Sequence, residues 1–363
     1  MKKSYKKIFA VIGVMTGTSM DGIDISLLKT NGTNYVKVIK ERSYRINIKK
    51  KLNFNKLQKS IKKLPKKYED KYNDILKFYL ERFIRDFQVK SNEIDLISIS
   101  GQTIYHNPEK KISIQLGSGS EIANKFRIKT ISNLRDNDII NGGQGAPIGS
   151  YYHRFLLNSK LKDSIIINLG GVANFSLIHN NVLHSSDIGP ANCILDDLSN
   201  YFFDKKFDKN GKYSSKGKIN LKIIDLYNKD IFFKKSFPKS LDRNYFHKYI
   251  KKLINIDKFD AMSTAVFMTI IGIEKLIKYN KFKFNKIIFT GGGRKNKFLI
   301  NSLKKITSKK IEIIEDYNIN GDLLEAQMFG YIGVRSYKKL IISNKNTTGV
   351  QKAVSGGVSY LPS

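Results

Sequence analysis

A single cysteine, Cys193, stands in a chain of 363 residues. One thiol excludes an internal disulfide framework and suits a reducing compartment, so a cytoplasmic location is expected. No apolar stretch approaches the length that spans a membrane. Lys2, Lys3, Lys6 and Lys7 ahead of Ile8 to Met15 imitate a signal peptide, but no small-residue cleavage pattern follows. Histidine is scarce. His106, His153, His179, His184 and His247 show no paired metal spacing, so no protein-built metal site is expected. No Ser/His/Asp or Cys/His set points to a covalent nucleophile. Acidic residues number 31 against 65 basic ones, a net charge of +34. Such a surface attracts phosphate without sequence preference. The charge is spread over the whole chain, however, and only ten of the basic residues are Arg, the type suited to bidentate phosphate and base recognition. Lys, Asn and Ile all have A/T-rich codons, so genome composition accounts for the bias. The 22 Phe and 19 Tyr fall mostly at core spacing rather than forming a stacking platform. No specific nucleic acid and no membrane is expected as a partner.

The length suits two domains, and 41% hydrophobic residues suffice for real cores. The most informative stretch is Gly17-Thr-Ser-Met-Asp-Gly-Ile-Asp24, directly after the apolar run Ile8–Met15. An apolar strand that breaks into such a turn and then resumes alternation (Ile23, Ile25, Leu27) is a β-hairpin. Its glycines and hydroxyls suit a phosphate cradle, and a carboxylate there suits hydrated Mg²⁺. An Asp-Gly turn that only closes a hairpin is the plainer alternative. Asn31-Gly32 then turns into a third strand, Tyr35–Ile39. A helix is expected over Asn73–Val89, with Leu76, Tyr79, Leu80, Phe83, Ile84 and Phe87 on one face. A buried-type strand, Leu96–Ser100, comes next, and later the glycine-rich loop Asn141–Pro147.

The second half repeats the plan. Ile165–Asn168 leads into the Gly170-Gly171 turn, then Phe175–Ile178, an Asn180-Asn181 turn and Val182–His184. Helix Thr264–Lys278, strand Lys286–Phe289, Gly291-Gly292-Gly293, helix Asn296–Lys305, strand Ile311–Ile314 and helix Leu323–Lys338 follow. Strand–helix alternation implies parallel pairing in an α/β sheet. Two meanders, each with a glycine-rich first turn, suggest duplicated halves with a ligand cleft between them. The expected division is residues 1–142 and 143–342, with the tail 343–363 free to pack back on the first half. Asp187, before Ile-Gly-Pro, marks a strand end, where α/β proteins place chemistry and where Asp also caps turns. Lys239 and Arg243 read equally as anion ligands or surface cations.

The motifs carry a narrower message. Val14-Met-Thr-Gly-Thr-Ser-Met-Asp-Gly-Ile-Asp24, Gly101-Gln-Thr103, Gly142-Gly-Gln-Gly-Ala-Pro147, Asn168-Leu-Gly-Gly-Val-Ala-Asn174, Asp187-Ile-Gly-Pro-Ala-Asn192, Pro238-Lys-Ser240 with Arg243, and Gly291-Gly-Gly-Arg-Lys-Asn296 occur in one order. In that order the chain resembles the anhydro-N-acetylmuramic acid kinase family, within the actin, Hsp70 and sugar-kinase superfamily, over nearly its whole length. It departs from the family pattern at Ser100 (usually His), Ser118 (often Asp) and Ala191 (usually Gly). The resemblance implies a two-domain actin-like α/β fold with duplicated ribonuclease-H-like halves and a nucleotide cleft. It implies ATP with Mg²⁺, and a small amino sugar as the other partner; a homodimer is left open. Asp187 becomes the general base that activates water. Gly17, Thr18, Ser19, Met20, Asp21, Gly22, Ile23, Asp24, Gly170, Gly171, Gly291, Gly292 and Gly293 become nucleotide contacts. Gln102, Gln144, Gly145, Asn192 and Glu325 become substrate contacts. The implied reaction opens 1,6-anhydro-N-acetylmuramic acid with water and phosphorylates O6, in peptidoglycan recycling. Alternatives are a kinase for another sugar and a non-catalytic nucleotide-dependent binding module; for the latter no residues remain to form a peptide-binding domain.

Overall fold

A computed structural model describes residues 7–17, 20–52, 66–279 and 282–363. The chain divides into two compact units, residues 1–155 with 323–363, and residues 156–322. The first unit opens with the expected meander: β1 (Phe9–Met15), β2 (Gly22–Thr30) and β3 (Val36–Arg45), each antiparallel to the next. Helices α1 (Ile48–Leu52) and α2 (Lys66–Asp86) follow. α2 extends seven residues further toward its amino end than the apolar pattern alone predicted. It buries Tyr68, Tyr72, Ile75, Leu76, Leu80 and Phe83 along one stripe, the spacing of an amphipathic helix. Then come β4 (Leu96–Ile99), the hairpin β5 (Gln102–Asn107) and β6 (Ile112–Leu116), α3 (Gly119–Phe126), β7 (Thr130–Ser132), α4 (Asp136–Ile140) and α5 (Ser150–Ser159). β4 lies parallel to β1, and β7 parallel to β4.

The second unit holds β8 (Ser164–Leu169), β9 (Val172–His179), β10 (Val182–Pro190), α6 (Asn192–Phe203), α7 (Leu221–Asn228), α8 (Ile250–Leu253), α9 (Lys258–Ile277), β11 (Lys286–Thr290), α10 (Lys297–Ile306) and β12 (Lys310–Ile313). Its sheet order is β10-β9-β8-β11-β12. The outer pairs β10/β9 and β9/β8 are antiparallel; β8/β11 and β11/β12 are parallel. The first unit shows the same order and polarity as β3-β2-β1-β4-β7. The duplication suggested by the two meanders is therefore present strand for strand, in the α/β architecture expected.

The chain returns to the first unit as α11 (Leu324–Tyr337) and β13 (Val358–Tyr360), which pairs antiparallel with β7. The sequence pattern had grouped this helix with the second half. Backbone proximity decides otherwise. A Cβ on Gly13 in β1 would overlap the Ala326 carbonyl oxygen and the Gly330 amide nitrogen, and would lie 2.9 Å from Gly330 Cα. α11 rests on the bare backbone of β1, an approach open only to glycine. The boundary falls at 155/156, inside α5, rather than at 142/143.

Each unit has its own core. Ile12, Val14, Ile23, Ile25, Ile97 and Ile99 cluster with α2 in the first. Ile165, Ile167, Leu169, Phe175 and Leu177 cluster with residues of α6 and α9 in the second. Cys193 sits in that second core, and burial pushes its thiol up to about 11, so it is not a nucleophile at neutral pH. Among the described residues no helix is long and apolar enough to cross a membrane.

Candidate active site

In the first unit the β1–β2 turn is tight. Met20 is left-handed (φ 54°), its N–H donates to Gly17 O at 3.0 Å, and its carbonyl accepts from Ile48 N at 2.9 Å. Thr18 and Ser19 lie outside the described residues. Met20 and Ile23, expected at a nucleotide, bury their side chains in the core instead. Both main-chain groups of Met20 are also engaged within the protein. Asp21 is exposed at the turn, and its carbonyl accepts from Ile46 N. Asp24 is half-buried in register with Met15 and Ser43.

The end of β1 is tied to the Gly101-Gln102-Thr103 motif. Thr16 Oγ1 bonds the buried Tyr72 hydroxyl at 2.7 Å and donates to Gly101 O at 3.3 Å. Ser100, where the related pattern has His, accepts from Thr16 N and donates to Gly101 O. Gln102 is fully buried; its Nε2 donates to Thr103 O, while its Oε1 has no partner among the described residues. A buried unpaired acceptor is costly unless something satisfies it.

The glycine loop is organised by Asp138, a fully buried carboxylate that the sequence reading passed over. Its Oδ2 accepts from Gly145 N at 2.6 Å and its Oδ1 from the Thr348 hydroxyl at 2.5 Å. Gln144 N donates to Thr348 O, and Arg135 donates to Gly145 O. Gln144 and Gly145 are thus held between α4 and the returning tail. Three acidic or amide residues just before a Gly-Gly pair (Asp136-Asn-Asp138) were the available signal. Glu325 is exposed in the first turn of α11, where an acid is favourable to the helix.

In the second unit, Gly170, Gly171, Asn192 and Gly291–Gly293 come together. Gly170 O accepts from Asn192 N, and Gly171 O from Ala191 N and Cys193 N, at 2.9–3.1 Å. These turn carbonyls take up the amides at the start of α6, so that helix end is closed rather than offered to phosphate. The Asn192 side chain donates to Leu169 O at 2.9 Å, and its Oδ1 would lie 3.0 Å from a Cβ on Gly293. Gly291 is left-handed (φ 73°), and a Cβ there would lie 2.7 Å from Leu169 O. Arg294 pins this turn: it donates to Gly291 O and forms ion pairs with Glu315 and Asp322. Burial works against both carboxylates' charge, but hydrogen bonds hold them below their usual range, from Arg294 at Glu315 and from Lys295 and Arg294 at Asp322.

Asp187 does not end its strand. β10 continues to Pro190 across a register shift between Asp187 and Gly189, a bulge of the kind that re-aims a side chain. The carboxylate is only 6% exposed and accepts from Leu241 N at 2.7 Å. Asp187 N donates to Lys239 O at 3.0 Å. Ser186 Oγ bonds both the N–H and the carbonyl of Lys239. Arg243 is a surface cation paired with an acid, its side chain 38% exposed, whereas the Lys239 ammonium is turned inward. Lys239 Nζ donates to Phe232 O and Lys235 O, and Arg243 pairs with Asp197.

The anhydro-N-acetylmuramic acid kinase family model matches residues 9–362. The chain belongs to this family. It is 35% identical to the anhydro-N-acetylmuramic acid kinase of Pelagibacter ubique (strain HTCC1062), over 97% of this chain and 98% of that protein. It is 30% identical to the same-named kinase of Zymomonas mobilis subsp. mobilis, over 95% and 98%. Among solved structures, the activator of the 2-hydroxyisocaproyl-CoA dehydratase from Clostridium difficile with bound ADPNP aligns at TM-score 0.46 and 12% identity, covering 91% of this chain and 96% of that one. All seven anhydro-N-acetylmuramic acid kinase motifs lie inside the matched span, distributed over both units.

Proposed function

We propose that this chain is an ATP-dependent kinase for 1,6-anhydro-N-acetylmuramic acid, acting in peptidoglycan recycling. What carries the reading is family membership that runs from residue 9 to 362, through both units. Asp187 supports its chemical half. The bulge and the Leu241 amide fix a buried carboxylate in one orientation, as a general base requires. In the proposed reaction Asp187 takes a proton from water while the water oxygen bonds C1 and the C1–O6 bond breaks. The freed O6 then attacks the γ-phosphorus of ATP and ADP leaves, giving N-acetylmuramate 6-phosphate. Phosphoryl transfer asks the protein mainly for positioning and charge stabilisation, which glycine turns supply.

In this reading the β1–β2 turn, Gly170-Gly171 and Gly291–Gly293 serve the nucleotide. Gln102, with its unpaired buried acceptor, and the Gln144-Gly145 loop serve the sugar. The two units serve as the enzyme's two domains. No group of three His, Cys, Asp or Glu side chains suited to a metal converges among the described residues. Asp21 and Asp24 are the carboxylates of the β1–β2 turn that would serve Mg²⁺ carried on the nucleotide phosphates. When bound, Mg²⁺ would neutralise phosphate charge. An ADP-release assay over a panel of sugars tests the reading. Release is expected with the anhydro sugar and not with glucose, N-acetylglucosamine or open N-acetylmuramic acid. Release driven by one of those others instead would reassign the substrate.

A further inference from the structure

The stretch 232–241 is stapled at two points. One is the main-chain clamp on β10, where the N–H and carbonyl of Lys239 engage Ser186 Oγ, and that carbonyl also accepts from Asp187 N. The other is the Lys239 ammonium itself. It turns back along its own segment and donates to Phe232 O at 2.9 Å and Lys235 O at 3.0 Å. It also stands 4.2 Å from the Phe232 ring centroid and 5.0 Å from that of Phe237. Two residues beyond Lys239, Leu241 N meets the Asp187 carboxylate at 2.7 Å. One residue thus joins the loop's internal closure to the main chain that orients Asp187.

We propose that Lys239 is a positioning residue for Asp187: its ammonium closes the 232–239 loop, and that closure holds the Leu241 amide against the carboxylate. The inference rests on Asp187 being the base. A simple stability role explains the arrangement less well. Burial, with Lys235 and Lys275 nearby, lowers the Lys239 ammonium to about 8, against 10.5 for an ordinary lysine. Between those values the unfolded chain holds the proton and the folded chain does not, so stability from this residue rises with pH. Below that window its charge is a cost to folding. The charged groups that act on it are Lys235 in the loop and Lys275 on α9.

The test is Lys239→Met, which keeps the apolar stem but loses the charge, beside Lys239→Arg, which keeps a charge that does not titrate. Lys239→Met is expected to lower kcat roughly 10–100-fold, the scale of a modest misplacement of a reacting group. KM for ATP should be unchanged and Tm equal or higher. Lys239→Arg should recover most of kcat. Wild-type kcat in Lys239→Met would overturn the proposal, as would a parallel fall of kcat and Tm without rescue in the arginine variant. Asp187→Asn is assayed alongside. If it is silent, the base reading falls and this proposal with it; if it is inactive while both Lys239 variants behave as native, this proposal alone falls.

Discussion

Asp187→Asn is expected to lower kcat by roughly 10²–10⁴-fold, the usual worth of a general base, while nucleotide affinity stays at its native value. The amide is nearly isosteric, so the β10 bulge and the second core should survive. In the proposed mechanism the variant loses the site for the water proton. The Leu241 N–H donates to Asp187 Oδ2, and an Asn side chain can still present its oxygen there. The main-chain bond from Asp187 N to Lys239 O is untouched by the change. Nucleotide titration calorimetry beside steady-state turnover reads the two effects separately. Near-native turnover would make Asp187 a residue of the bulge and nothing more.

Gly13→Val is expected to remove about 4 kcal/mol or more of stability, a large share of the margin of a marginally stable fold. The new Cβ would meet backbone, the Ala326 carbonyl and Gly330, and not the movable end of a side chain. Helix α11 would have to lift from β1, exposing the buried Ala326, Phe329 and Gly330 face. The yield of soluble chain and a urea melt measure this. A native-like melt would mean that α11 does not depend on that contact.

What was legible in the sequence was what local pattern encodes. The apolar runs and the Asn-Gly and Gly-Gly turns located both meanders, and the alternation later in the chain located the parallel strands. What was not legible depended on contacts distant in sequence. Gly13, Gly330 and Gly333 are spaced as glycines in a strand and a helix, yet nothing local says that the two backbones touch. The Asp187-Ile-Gly-Pro190 stretch reads as a stop because Pro usually ends a strand. A bulge lets the pairing continue to Pro190 at the edge of the sheet. Met20 and Ile23 fell inside a motif and were assigned to the nucleotide with it, although their apolar side chains belong to the core. Lys239 was indistinguishable from the chain's many other cations until the carbonyls and rings around it were located. Asp138 was missed because its partners, Gly145 and Thr348, lie 7 and 210 residues away.

The coupling of bridge opening to phosphorylation is tested most directly by turnover in ¹⁸O-labelled water, with the product read by mass spectrometry. If water attacks C1 to free O6, the label appears on the C1 hydroxyl, and the transferred phosphate, built only from ATP and O6, carries none. Product without label at C1, or label found in the phosphate, would contradict that account.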